Sequence, residues 1–69
     1  MDELTNQIAV LRAGRQISQT ELAEAIGVSR KTISTVETGR FTPSVVIALK
    51  LAQFFEVPVE QIFSLKAAE

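Results

Sequence analysis

The sequence predicts an all-α fold, a compact domain of five short helices built from one chain of 69 residues. Three observations lead there. Apolar residues recur three and four apart in five successive segments. Residues competent to cap a helix, Ser18 and Ser29 among them, stand just ahead of such segments, and glycine or proline punctuates the gaps. The 46% apolar and 22% charged residues describe a globular domain, and no apolar run reaches the ~18 residues of a membrane span.

The first helix is expected over about Glu3–Arg15, because Leu4, Ile8 and Leu11 share one face at i, i+4 and i+7. Ser18 with Glu21 three residues later has the form of a capping box, with Ile17 and Leu22 at the positions of a hydrophobic staple across it. Leu22, Ala23 and Ile26 continue the second helix until Gly27 supplies a left-handed residue that ends it. Ser29 can then cap a third helix, in which Ile33 and Val36 are apolar and Val28 repeats the staple against Ile33. Two helices meeting at a short turn that contains glycine are a helix-turn-helix, here about residues 18–38. Ala23 is small because the second and third helices must cross at close range.

Gly39 stops the third helix. Thr42-Pro43 is expected to open the fourth, roughly Pro43–Phe55, with Phe41 and Val46 as its staple. Val45, Ala48, Leu49, Ala52 and Phe55 are its core face. Ile47, Leu51 and Phe54 are surplus apolar surface. Pro58 opens a last short helix with Val59, Ile62 and Phe63 on its apolar face, extended by Leu65, and the closing Lys-Ala-Ala-Glu is expected to fray.

The stretch Gln19 to Thr38 resembles the helix-turn-helix of the phage-repressor and Cro type, shared by many small bacterial and phage transcription regulators. The similarity runs from about Asn6 to Leu65. The resemblance implies a lambda-repressor-like five-helix domain that binds double-stranded DNA. It puts Ser29, Arg30, Lys31 and Thr35 on the base-reading side of the third helix, and Gln19, Thr38, Arg40 and Thr42 against phosphates. It also pairs Arg12 with Glu37 as a structural ion pair. Two positions depart from the family habit. Relatives often have glycine where this chain has Gln16, so either the first helix ends sooner, near Gly14, or Gln16 takes the left-handed conformation at a cost of order 1 kcal/mol. Many also have glutamine where this chain has Lys31, so adenine reading does not carry over and guanine or phosphate is the expected contact.

The net charge of −1 is low for a DNA-binding protein, but residues 12–40 carry Arg12, Arg15, Arg30, Lys31 and Arg40 against Glu21, Glu24 and Glu37. The positive excess therefore falls on the helix-turn-helix. Arg30 and Lys31 occupy the first two positions after a helix cap, where a cation opposes the macrodipole by ~0.3–1 kcal/mol. Bidentate recognition of guanine by arginine yields about 1–3 kcal/mol of discrimination, enough to outweigh that cost.

The chain has no histidine and no cysteine, which excludes a transition-metal site, and no serine has an evident base beside it, so neither an enzyme, a cofactor nor a metal is expected. Glu21 and Glu24 read as a capping residue and a solvated face. No secretory signal opens the chain, and the lack of cysteine fits a cytoplasmic setting. The function expected is a sequence-specific regulator, a homodimeric repressor on a short inverted repeat. Ile47, Phe54, Val59, Ile62, Phe63 and Leu65 are the expected dimer contacts. A protein-binding helical module or a toxin-neutralising partner is the alternative.

Overall fold

Five helices form close to where caps and apolar spacing put them, and two strands join them. The computed structural model describes residues 2–67 and runs β1 (Asp2–Asn6), α1 (Ile8–Arg15), α2 (Gln19–Ile26), α3 (Arg30–Glu37), α4 (Val45–Phe55), α5 (Val59–Ile62) and β2 (Phe63–Ala67). Each helix supplies one side chain that is essentially inaccessible to solvent: Ile8, Leu22, Ile33, Leu51 and Ile62. These five meet in one core, closed by Ala23, Ile26, Val36, Ala52, Phe55 and Phe63.

The all-α expectation needs correcting. β1 and β2 pair antiparallel, with Leu4 opposite Leu65, Thr5 opposite Ser64 and Asn6 opposite Phe63. The first helix begins at Ile8, not Glu3, so Leu4 is a strand residue. The spacing Leu4–Ile8 suits a helix, but Phe63-Ser64-Leu65-Lys66 alternates with the period of two that strands require, and its partner lies at the other end of the chain. Thr5 and Ser64 bridge the ribbon through their hydroxyls at 2.7 Å. Lys66 and Ala67 belong to β2, while Ala68 and Glu69, also expected to fray, lie outside the described residues.

Both caps of the helix-turn-helix are made. Ser18 Oγ accepts from the Glu21 N–H at 3.0 Å while Glu21 Oε1 accepts from the Ser18 N–H at 3.0 Å. Ser29 Oγ accepts from the Thr32 N–H at 3.1 Å. α1 to α4 all end in the same closing pattern, a 6→1 and a 5→2 backbone bond around one residue. Gly27 and Gly39 hold that place at φ of 76° and 78°, and Gln16 and Glu56 hold it at 57°. The left-handed alternative for Gln16 is the one adopted.

α4 starts two residues later than expected, because Ser44 and not Thr42 caps it, accepting from the Ile47 N–H at 3.2 Å. Its inward face also differs. Val45 and Leu49 are 75% and 50% exposed, while Leu51 is buried. The helix is apolar nearly all round, so periodicity could not choose its stripe; packing against α2 and α5 did.

The expected dimer contacts divide. Ile62 and Phe63 are buried in the chain's own core, which leaves little of either for a second chain. Ile47, Phe54 and Val59 are half-buried against the same core. Phe54 is further covered by the Arg15 guanidinium, 5.2 Å from its ring centre. Leu65 is exposed.

Candidate nucleic-acid interface

α3 is an eight-residue helix whose buried side is only Ile33 and Val36, so most of its surface is available. Its first turn carries Arg30 and Lys31, both exposed, and no acidic residue. Among the described residues neither cation has a carboxylate within ion-pair distance. The first-turn amides add their own positive partial charge. The one carboxylate on α3, Glu37, sits at the opposite end and is neutralised there.

That neutralisation brings Arg12 and Glu37 together. Arg12 Nε donates to Glu37 Oε2 at 2.6 Å and Nη2 to Oε1 at 3.1 Å, a bidentate pair whose side chains are 19% and 9% exposed. Nη1 donates to the Ile17 carbonyl at 3.0 Å, fixing the guanidinium against the α1–α2 turn. The hydrogen bond to Glu37, and then its charge, hold Arg12 above the ordinary arginine range, with desolvation opposing. Gln19, in the first turn of α2, joins this cluster by donating from Nε2 to Glu37 Oε1 at 3.2 Å. One N–H of its amide remains for another acceptor.

The hydroxyls are more committed. Ser29 Oγ caps α3 and is 2.9 Å from the Thr32 hydroxyl. Thr35, half-buried one turn beyond Lys31, donates its hydroxyl to the Lys31 and Thr32 carbonyls. Thr38 donates to the Ser34 and Thr35 carbonyls. Arg40 and Thr42 are exposed in the loop before α4.

Sequence reasoning passed over Asn6. Its Nδ2 donates to the Val36 and Glu37 carbonyls at 3.1 and 3.3 Å, and its Oδ1 accepts from the Ile8 N–H at 3.1 Å. Asn6 stands two residues before Ile8, ahead of the N-cap Gln7, and an asparagine there, able to accept from the backbone two residues on, was the available signal for the true start of α1.

A family model described as helix-turn-helix matches residues 8–62. The chain belongs to the helix-turn-helix family of transcription regulators. The match takes in all five helices and stops short of both strands. An uncharacterised HTH-type transcriptional regulator of Methanocaldococcus jannaschii is 42% identical over 60 residues, 87% of this chain and 91% of that protein. The CTXphi transcriptional repressor RstR of Vibrio cholerae is 35% identical over 60 residues, 87% of this chain and 54% of RstR. Among solved structures, the restriction-modification controller protein C.AhdI of Aeromonas hydrophila aligns with a TM-score of 0.74 at 31% identity, covering 80% of this chain and 83% of that one. Among the described residues of this helix-turn-helix protein, no helix is long and apolar enough to cross a membrane.

Proposed function

We propose that this DNA-binding transcription regulator acts as a homodimeric repressor, each copy laying the start of α3 in the major groove of one half of a short inverted repeat. The observation that carries the reading is the pair Arg30 and Lys31, exposed and without a carboxylate partner among the described residues at a helix end that disfavours cations. Arg30 reads guanine, Lys31 meets guanine or a phosphate, and the Thr35 methyl meets a thymine methyl. Ser29 lies at the same surface but its hydroxyl serves the cap. Gln19 on one flank, and Thr38, Arg40 and Thr42 on the other, hold phosphates and carry no base code.

Repression is supported by RstR, the relative named a repressor, while BcrR of Enterococcus faecalis, 32% identical over 62 residues, is named an activator. Of the expected dimer contacts Leu65 is fully available, and further exposed apolar residues add to it. Phe41, Val45, Val46 and Leu49 are each about half exposed or more, and three of them lie within two turns of α4. Burying one such side chain contributes about 1.5–3 kcal/mol, enough in sum to offset part of the entropy of association. A two-fold arrangement would set the recognition helices about 34 Å apart, one turn of DNA.

Selection of bound duplexes from a random pool tests the reading. The expected result is a pseudo-palindrome with guanine in each half-site and half-site centres one helical turn apart. Recovery of unenriched sequence at moderate salt would replace it with a protein-binding role on the same fold.

A further inference from the structure

We infer that Asn6 is a positioning residue for base recognition, a clamp that sets where the recognition helix lies relative to α1. This rests on the proposal that α3 reads bases. One short amide does two jobs at once. Its oxygen accepts from the Ile8 N–H in the first turn of α1, and its nitrogen donates to the Val36 and Glu37 carbonyls in the last turn of α3. The residues so joined are 30 and 31 positions apart.

The last turn of α3 does not need Asn6 in order to end. Gly39 and Arg40 already close it through their bonds to the Val36 and Thr35 carbonyls. What the amide adds is a fixed distance between two helices. The Arg12–Glu37 pair joins the same two helices, but only through side chains. The Asn6 side chain, with two rotatable bonds, is bonded directly to main chain at both ends. Together they hold α3 at a backbone point and at a side-chain point, which sets both its position and its tilt.

The consequence appears at the other end of the helix. Eight residues at 1.5 Å per residue put Arg30 about 10 Å from the clamp, so a 10° tilt there moves the start of α3 by about 2 Å. A bidentate contact tolerates about 0.5 Å and 10–20°, whereas a flexible side chain can follow a phosphate through such a shift. Loosening Asn6 should therefore erode discrimination between sequences more than affinity for DNA as such.

Asn6→Asp separates this role from capping. The carboxylate still accepts from the Ile8 N–H and suits a helix N-terminus, but it has no N–H and opposes the α3 carbonyls with charge. Asn6→Ala removes all three bonds. Ile62→Val serves as a control that loosens the core without touching the clamp. With the full chain, affinities for the selected duplex and for a random duplex are measured at fixed salt beside melting curves. The ratio of the two affinities cancels the uniform effect of one added negative charge. It should fall about tenfold in Asn6→Asp and Asn6→Ala, within what one bidentate base contact supplies, and stay unchanged in Ile62→Val.

An unchanged ratio in both Asn6 variants, or an equal fall in Ile62→Val at matched melting temperature, overturns the clamp. Arg30→Ala separates this failure from a failure of the underlying reading. If Arg30→Ala lowers the ratio and the Asn6 variants do not, α3 reads bases and Asn6 merely caps α1. If Arg30→Ala also leaves the ratio unchanged, the base-reading assignment itself is wrong and the clamp falls with it.

Discussion

Cations at the first turn of a helix are electrostatically misplaced, and Arg30 and Lys31 have no partner among the described residues to relieve that. Arg30→Ala and Lys31→Ala should each weaken binding to the selected duplex by about 1–3 kcal/mol, while removal of an unfavourable dipole interaction leaves melting unchanged or slightly raised. Parallel isotherms and melting curves check both halves of the statement, and a drop in melting temperature would make these residues structural. Glu37 is the opposite case. Its carboxylate accepts from Arg12 and Gln19 while 9% exposed, so Glu37→Ala leaves a largely buried guanidinium short of two acceptor contacts. A loss of about 1–3 kcal/mol in unfolding free energy is expected by denaturant titration, the range for stranding a buried donor. A loss near zero would mean that water replaces the carboxylate at no cost.

Helix ends are where this chain is least well served by its own residues. α1 to α4 all close through a left-handed residue, yet only two of the four places hold glycine. At α1 the glycine is displaced: Gly14 lies within the helix with open space around the position of a Cβ, and Gln16 sits at φ 57°. Gly14→Ala should therefore stabilise by about 0.5–1 kcal/mol through helix propensity. Gln16→Gly exchanges a left-handed strain of about 1–2 kcal/mol for the added unfolded-state entropy of glycine, about 0.5–1 kcal/mol, and should gain about 0.5–1 kcal/mol net. Thermal melts of the single variants and the pair decide this, and a destabilised Gln16→Gly would show that its side chain makes a contact worth more than the strain.

Across the whole molecule, the apolar surface left over by folding is only partly where periodicity placed it, with Leu65 exposed as expected. Ile62 and Phe63 close the core, whereas Phe41, Val45, Val46 and Leu49 remain outside it. Val46→Asp and Leu49→Asp should shift sedimentation from dimer to monomer at micromolar concentration with melting of the monomer little changed, because both side chains are half exposed or more within one chain. Specific DNA affinity should drop with them and regain strength at high protein concentration. A wild-type monomer at every concentration, with no dimer on DNA, would remove both the interface and the one-turn half-site spacing.

Much of this structure is legible in the sequence, and the legible part is local. Ser18, Glu21, Gly27, Ser29 and Gly39 act on backbone groups within about four residues of themselves, so their spacing along the chain already states their geometry. The spacing of Ile33 and Val36, and of Leu22, Ala23 and Ile26, likewise identifies the inner side of each recognition-motif helix. The fold alone decided the rest. Thr5 meets Ser64 across 59 positions, and no local pattern in Asp2–Asn6 reveals that a partner strand exists at the other terminus. α4 offers apolar residues on every side, so its phase was chosen by the neighbours that cover Leu51 and leave Val45 and Leu49 in solvent. Asn6, read as one more helical residue, became a link between α1 and α3 because only the folded chain brings the last-turn carbonyls of the recognition helix within reach of its amide.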